Sequence, residues 1–339
     1  MISRVAEHCF WLGRYLERAE DTARVLDVNQ TLLLDYHLPL DQQWRPVLII
    51  SGIYDMPGEP DPEAVQHYMT WETANPFSIA SSLAAARENA RIIREVISAE
   101  MWERLNYYYL WLQGPFARQL YDTSRSEFYS QIRRINQLIH GIADGTMAHG
   151  EAWEFFQLGT YLERSCQTAR ILDVKYHIAL PTLDLVGTPV DNAQWVAILT
   201  SCSGYEPFHK KVRQTMDTGV AVADFLLLDP DFPRSISFCL HHCQLAAHAI
   251  SNRPVGESGN EVERALAELI NWLTGQAIGD IIREGLHESL TRVVDTTHEI
   301  GEVIHRTYFD VRGQAPLPNP RERSDAPARA TLSSTAGDH

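Results

Sequence analysis

The chain has 339 residues, of which 44 are acidic and 29 are basic, so its formal net charge at pH 7 is −15. A hydrophobic share of 45% with 22% charged residues is typical of a globular protein and excludes a wholly disordered chain. The acidic balance argues against nucleic acid or an anionic membrane as a partner, because neutralising phosphates requires a basic face.

The N-terminal segment 1–21 carries a charge every three or four residues, which excludes a secretory signal peptide. No apolar run approaches the roughly 18 residues that a membrane-spanning helix requires. The five cysteines form a sparse, odd-numbered set, which is typical of reduced thiols rather than of a disulfide framework. These features predict a cytoplasmic protein.

Apolar residues recur every three or four positions along most of the chain, which is the period of an amphipathic helix. The first such stripe includes Leu12, Leu16 and Ala23, with charged residues on the opposite face; similar patterns occupy 132–139 and 266–273. The short apolar runs 47–50 and 225–228 could be strands, but each adjoins a helical pattern. The sequence therefore predicts an all-α fold with ten to twelve helices.

Turn-forming residues divide these helices. The main predicted breaks fall at 56–60, 74–76, 113–115, 181–189, 229–233 and 252–259. Residues 313–339 contain almost no large apolar side chain and are rich in Pro, Ala, Ser, Thr and Arg. Because such a segment cannot bury enough surface to offset its ordering entropy, we predict a disordered C-terminal tail.

An internal duplication is the strongest pattern in the chain. Segment 10–28 returns as 156–174, with 13 identities in 19 positions at a constant offset of 146. Weaker matches between the two halves follow in the same order at offsets of 151 to 157, among them Trp44 with Trp195 and Ser78 with Ser235. Two copies favour a closed bundle over a solenoid. We predict two related, pseudo-symmetric helical halves, 1–147 and 148–312, packed as one multi-helix bundle.

Several motifs, in order, carry a family resemblance. They are the repeated Gly-x-Tyr-Leu-Glu-Arg element containing Glu17-Arg18, the opening Ile2-Ser3-Arg4-Val5-Ala6-Glu7, the central Ala86-Arg87-Glu88-Asn89-Ala90-Arg91, and Ser98-x-Glu100-Met101-Trp102-Glu103-x-Leu105-Asn106. The chain resembles the alpha-E family of bacterial helical proteins over nearly all of 1–310. The resemblance implies a circularly permuted ATP-grasp ligase as a partner, a transglutaminase-like protein as a second one, and a place in a peptide- or amide-forming system.

The charges of the repeated element fall into two groups. Some are replaced in the second copy, as when Arg14 becomes Thr160, and others return. The returning charges are Glu17, Arg18, Arg24 and Asp27, which reappear as Glu163, Arg164, Arg170 and Asp173. Their retention predicts buried Arg–carboxylate pairs that fix one helix against another. A ligand-binding role for Glu17 and Arg18 is the alternative.

A second charged cluster distinguishes the first half from the second. Arg87, Arg91 and Arg94 follow the spacing i, i+4, i+7 and could clamp a phosphate or a carboxylate. Simple pairing of these arginines with carboxylates along the helix is the alternative. The cluster comprises Arg87, Glu88, Asn89, Arg91, Arg94 and Glu95, with Glu100, Trp102, Glu103 and Asn106 expected to continue it on the next helix.

Metal ligation is not expected. Glu284-x-x-His287 and Glu302-x-x-His305 match the spacing of di-iron bundles but lie 18 residues apart, or roughly 27 Å along one helix. Cys239, His242 and Cys243 are better explained by packing than by zinc, which favours ligands from separate elements. The sequence also has no phosphate-binding glycine loop or nucleophile elbow, so it predicts neither a metal nor a cofactor.

Three functions remain open at this point. The first is a helical accessory or co-catalytic subunit of an ATP-grasp-dependent system that forms peptide or amide bonds. The second is a stand-alone enzyme that acts on a peptide or amino acid through a Glu/Arg cleft. The third is a structural scaffold.

Overall fold

The computed structural model describes residues 3–35, 43–56, 61–177, 188–212, 218–252 and 259–310. Within these ranges the chain is helical and contains no strand, which confirms the all-α prediction. The predicted disorder of 313–339 and most of the predicted break at 181–189 lie outside the described residues. No helix in the described ranges is long and apolar enough to cross a membrane.

Fifteen α-helices occupy the described ranges. In chain order they are α1 (Ser3–Asp35), α2 (Arg45–Ile50), α3 (Pro62–Trp71), α4 (Ile79–Ile92), α5 (Ala99–Gln113), α6 (Pro115–Thr123), α7 (Arg125–Thr146), α8 (Glu151–His177), α9 (Pro189–Ser201), α10 (Tyr205–Lys211), α11 (Thr218–Leu228), α12 (Ile236–Ser251), α13 (Glu261–Thr274), α14 (Ile278–Glu284) and α15 (Leu286–Ile304), and a π-helical turn, His305–Phe309, follows. The prediction of ten to twelve helices was too low, because turns at Ser124 and Gly285 divide patterns that look continuous in the sequence.

Side-chain caps start several of these helices. Ser78, Ser98 and Ser235 each accept a hydrogen bond from the backbone N–H three residues later, at 3.0 to 3.1 Å. Asn260 forms a reciprocal capping box with Glu263 at the start of α13. Each cap satisfies a backbone donor that a helix N-terminus otherwise leaves unpaired, so these polar residues define where the helices begin.

The long helices α1 and α8 pack against each other along the centre of the molecule. Helices α4 and α7 cover α1, whereas α12 and α15 cover α8. As a result every residue of α1 from Leu16 to Asp27 is buried, including those on the charged face opposite its apolar stripe. The contact between α1 and α8 joins the two predicted halves.

Equivalent residues of the repeat make equivalent local contacts. Thr22 donates to the carbonyl of Phe77 at 3.5 Å, and its counterpart Thr168 donates to the carbonyl of Arg234 at 2.8 Å. The turns that end α2 and α9 also match, with positive φ angles at Gly52 (73°) and Ser203 (54°). Gly52 and Ser203 are 151 positions apart, within the range of offsets found in the sequence. Pseudo-symmetry of the whole halves stays a prediction.

Candidate functional site

The crossing of α1 and α8 brings the two copies of the repeated element together. A Cβ atom on Gly13 would overlap the carbonyl oxygen of Phe156, and a Cβ atom on Gly159 would overlap the carbonyl oxygen of Phe10. The contact is reciprocal, since Gly13 and Gly159 are counterparts, as are Phe10 and Phe156. Glycine therefore allows the two backbones to touch, and the neighbouring charged side chains are held directly across the interface.

Two ion pairs cross this interface in opposite directions. Arg164 donates to both oxygens of Glu17, at 2.7 and 2.8 Å. Arg18 donates to both oxygens of Glu163, at 2.7 and 3.1 Å, and Arg14 adds a third bond of 2.7 Å to Glu163. Glu17 is fully buried and Glu163 is 2% exposed. These bidentate pairs fix the register and the rotation of α1 against α8.

Arg234 is the residue that sequence reasoning missed. It lies just before α12, and its guanidinium contacts three carboxylates of α1. The contacts are with Glu17 Oε1 at 3.0 Å, Asp21 Oδ1 at 2.6 Å and Glu20 Oε1 at 3.0 Å. Glu20 also pairs with Arg24. Arg234 stands where the first half has Phe77, so the duplication gave no signal for it.

Burial and charge shift the pKa values of this network in opposite directions. For Glu17, burial alone would raise the pKa, but Arg164 and Arg234 outweigh it and lower the pKa to about 2. For Asp21, burial raises the pKa to about 7 against the opposing charge of Arg234. Burial also lowers the pKa of His140, whose Nε2 lies 4.0 Å from Glu17. At neutral pH, Glu17 is therefore ionised while Asp21 lies close to its midpoint.

In the second copy of the repeat, a cysteine replaces one of these carboxylates. Cys166 is the counterpart of Glu20, and Arg170 is the counterpart of Arg24. Arg170 Nη2 and Cys166 Sγ approach His298 Nε2 of α15, at 3.5 and 3.9 Å. Burial would raise the pKa of the Cys166 thiol, but the hydrogen bond with His298 and the charge of Arg170 lower it to about 7. Arg170, expected to pair with a carboxylate, thus adjoins a thiol that ionises readily.

The remaining retained charges are Asp27 and its counterpart Asp173, and each contacts the helix that covers its own. Asp27 Oδ2 forms an ion pair with Arg133 Nη1 on α7, at 2.8 Å. Its counterpart Asp173 contacts His287 Nδ1 on α15 at 2.7 Å. The ring of Tyr176 stacks on His287, with centroids 3.9 Å apart. Each pair ties a central helix to its covering helix.

An open cleft lies beside the Asp27–Arg133 pair. It has a volume of about 610 Å³ and is bounded by the C-terminal part of α1, by Arg133 of α7, and by α9. A smaller cleft of about 430 Å³ is lined by Arg234 and by Lys211, which pairs with Asp229 and Asp231.

The predicted arginine stripe does not lie on a single helical face. Arg87 Nε donates to Asn106 Oδ1 at 3.0 Å, and its guanidinium lies 5.6 Å from the Trp102 ring and 5.0 Å from the Tyr109 ring. Helix α4 ends at Ile92, so Arg94 and Glu95 lie in the turn beyond it. Arg94 nevertheless approaches the same Trp102 ring, at 5.0 Å. Trp102 thus joins Arg87 and Arg94.

The remaining members of the cluster point elsewhere. Arg91 makes a bidentate pair with Glu88, at 2.6 and 2.9 Å, and both side chains are about half exposed. Asn89 contacts His8 of α1 at 2.7 Å. The carboxylates expected beside the stripe are all exposed: Glu95, Glu100 and Glu103. A groove shared by these groups and the arginines stays a prediction.

A single open pocket containing Glu17 and Arg87 would favour the stand-alone enzyme, but the surroundings of these two residues differ. Glu17 is enclosed by Arg164 and Arg234 at the α1–α8 crossing, whereas Arg87 packs on α5. Among the described residues no group of His, Cys, Asp and Glu is arranged to hold a metal. Glu284 and His287 are separated by a helix break at Gly285, and the ring of His242 stacks on Tyr161.

Comparison with known proteins gives one family match. The model of the Alpha-E family, described as a predicted alpha-helical domain with a conserved ER motif, matches residues 1–309. Uncharacterized proteins of Mycobacterium bovis and Mycobacterium tuberculosis are 24% identical to this chain over 360 aligned residues. The alignments cover 96% of this chain but 39% of each relative, so the chain spans less than half of their length. No solved structure matches the chain.

Proposed function

The chain belongs to the Alpha-E family, and from this premise we propose that it is a helical accessory subunit of an ATP-grasp-dependent system that forms peptide or amide bonds. The observation that carries the accessory role is the placement of the repeated Glu-Arg motif. All four motif side chains, Glu17, Arg18, Glu163 and Arg164, are engaged with one another across the α1–α8 crossing. These side chains stabilise the contact between α1 and α8, so a partner protein would bind the outer surface of the bundle instead.

The corner between α5 and α6 is the surface that best fits a protein partner. Three large apolar side chains are exposed there: Tyr107 (59%), Leu110 (58%) and Phe116 (74%). Trp102 lies on the same helix α5, towards its start, and Arg94 packs on its ring. Aromatic residues are enriched at the centres of protein interfaces, so the corner between α5 and α6 is the proposed docking face for the ATP-grasp protein.

The length of the relatives supports an association with a further protein unit. In the mycobacterial relatives, the region that resembles this chain is joined to a polypeptide that is more than half of the whole. That arrangement in the relatives supports the proposal that the Alpha-E region acts together with a second protein unit. A transglutaminase-like protein is the second partner that the family resemblance implies.

The proposal is tested by co-expression with the circularly permuted ATP-grasp protein of the same genome. We expect the two proteins to co-elute in size-exclusion chromatography and this chain to raise the partner's ATP turnover in the presence of its substrates. Phe116→Ser should abolish co-elution without lowering the melting temperature. The matched control is Leu245→Ser on α12, which is 51% exposed on another helix.

Two outcomes contradict the proposal. If the wild-type proteins elute separately and turnover is unchanged, the partnership is wrong. If the partners co-elute but Phe116→Ser behaves as Leu245→Ser does, the docking face is wrong. Retention of full turnover by the ATP-grasp protein alone would instead favour the scaffold interpretation.

A further inference from the structure

We propose that Cys166 is a site of oxidation by hydrogen peroxide, at which His298 accepts the proton of the thiol and Arg170 stabilises the charged sulfur. The three side chains meet where α8 packs against α15. Cys166 Sγ lies 3.9 Å from His298 Nε2, and Arg170 Nη2 lies 3.5 Å from the same nitrogen. The inference is independent of the ATP-grasp partnership, because it concerns a reaction of the chain alone.

The imidazole of His298 is placed to take the proton of the thiol. An arginine side chain can only donate, so the contact with Arg170 makes His298 Nε2 an acceptor, and the Cys166 thiol faces that same acceptor. Burial would raise the pKa of Cys166, but the contacts with His298 and Arg170 lower it to about 7. Because the thiolate is the reactive form of a cysteine, a large share of Cys166 is ready to react at neutral pH.

The two copies of the repeat differ here in a way that leaves one arginine without a carboxylate. In the first copy Glu20 pairs with Arg24. Cys166 and Arg170 occupy the counterpart positions, and Arg170 forms no ion pair with a carboxylate of the described residues. The second copy thus holds a sulfur beside its arginine where the first copy holds an anion. A thiolate supplies the negative charge that this arrangement otherwise lacks.

The guanidinium of Arg170 is held in place from its other side. A Cβ atom on Gly52 would overlap Arg170 Nη1, so the guanidinium packs directly against the backbone of the turn that ends α2. Gly52 has a φ of 73°, a conformation that glycine adopts without strain. Arg170 therefore lies between the Gly52 backbone and His298, with its charge fixed beside Cys166.

Burial restricts the size of the oxidant that can reach the sulfur. Cys166 is 5% exposed, which is small but more than any of the other four cysteines, Cys9, Cys202, Cys239 and Cys243, which are 0–1% exposed. His298 beside it is exposed on α15. Hydrogen peroxide is close to water in size, so it needs only a small opening along the contact between α8 and α15.

The proposed step converts the thiol to a sulfenic acid. The thiol gives its proton to His298 Nε2, and the thiolate sulfur of Cys166 attacks one oxygen of hydrogen peroxide. The S–O bond forms as the O–O bond breaks, and the leaving hydroxide takes the proton from His298 to become water. The sulfur loses two electrons and the peroxide gains them, so a thiol and hydrogen peroxide give a sulfenic acid and water.

The test exposes the full folded chain to hydrogen peroxide at pH 7. Samples are quenched with catalase, unfolded in urea with dimedone, which traps sulfenic acids, and mapped by mass spectrometry. We expect Cys166 to gain the adduct at least about tenfold faster than Cys239, because burial raises the pKa of Cys239 to about 12. Absence of an adduct on Cys166, or equal rates at the two cysteines, overturns the proposal.

The pH profile of a variant separates proton transfer from simple access. His298→Ala should slow oxidation of Cys166 about tenfold at pH 7, since the thiol pKa rises without the imidazole. Its rate should approach the wild-type rate near about pH 10, where the thiol is ionised in both proteins. The control His241→Ala, exposed on α12, should leave the profile unchanged. A His298→Ala profile equal to that of the wild type, or a rate changed by the same factor at every pH, overturns the proposal.

Discussion

Gly159 on α8 lies so close to the Phe10 carbonyl of α1 that no side chain fits between them. The counterpart contact, Gly13 of α1 against the Phe156 carbonyl of α8, likewise leaves no space for a side chain. Because backbone rather than flexible side chain is met in both cases, a Cβ atom would force α1 and α8 apart. The duplicated glycine is therefore as much a part of the repeated element as the Glu-Arg pair.

We predict that Gly159→Ala destabilises the fold by several kcal/mol, since separating the helices lengthens the buried ion pairs beside it. Urea denaturation measures the loss. The matched control is Gly141→Ala in α7, where a Cβ atom would meet no atom within 4 Å. That change should be neutral or should stabilise the helix by up to about 1 kcal/mol. Similar effects of the two substitutions would contradict the close crossing.

The buried carboxyl of Asp21 makes stability depend on pH. Its pKa is raised from 3.8 to about 7, so the folded chain holds a proton that the unfolded chain has released. Stability from this group is complete below pH 3.8 and is lost as the pH rises through 7. We predict that Asp21→Asn removes a slope of up to about 1.4 kcal/mol per pH unit between these values. Urea denaturation of both proteins across this range measures it, and parallel stability curves would show that Asp21 is ionised throughout.

The buried carboxyl of Glu17 makes the stability of the fold decrease as the pH falls, which is the opposite of the effect of Asp21. Its pKa is lowered from 4.5 to about 2, so the stability that it contributes is present above pH 4.5 and is lost as the pH falls through 2. We predict that acid unfolding of the wild-type chain steepens in this interval. The steepening should be smaller in Glu17→Gln, in which Glu163 alone of the two motif carboxylates keeps its lowered pKa, and circular dichroism measures the difference. An identical acid transition in both proteins would contradict the low pKa.

Cys166 is 5% exposed, and its thiol should ionise at a lower pH than the other thiols whose pKa is shifted. Its pKa is lowered to about 7, whereas burial raises the pKa of Cys9, Cys202 and Cys239 to about 12. We predict that the rate of Cys166 alkylation by iodoacetamide, followed by mass spectrometry, has a midpoint near pH 7. The variant His298→Ala should move that midpoint upward, because the hydrogen bond that favours the thiolate is lost. A wild-type midpoint above about 8.5, the value of a free thiol, would contradict the Cys166–His298 contact.

Much of the fold follows from local patterns. Apolar spacing of three and four residues predicts the helices, and the capping residues Ser78, Ser98 and Ser235 mark where three of them begin. The duplication predicts that segments 10–28 and 156–174 lie near each other, and the structure brings them into contact. The helix number was underestimated, since Gly285 at a φ of 117° interrupts an apolar pattern that continues on both sides.

The candidate site was less predictable, because its contacts join residues far apart in the chain. Arg234 reaches Asp21 across 213 positions, and Cys166 meets His298 across 132. Neither pair has a spacing that a single sequence can reveal. The arginine stripe was misplaced for a local reason: α4 ends at Ile92, so Arg94 leaves the helical face that the i, i+7 spacing assumed.

The central claim is that the repeated Glu-Arg motif is structural, and a double-mutant cycle at Glu17 and Arg164 tests it most directly. The free energy of unfolding is measured in urea for the wild type, Glu17→Gln, Arg164→Met and the double variant. Each single change breaks the buried bidentate pair, although Arg234 still contacts Glu17 in Arg164→Met, and each should cost about 3–5 kcal/mol. The double variant should cost clearly less than the sum of the two single changes. A coupling energy near zero, with each single change costing less than about 1 kcal/mol, would contradict a structural role and return these residues to the list of functional candidates.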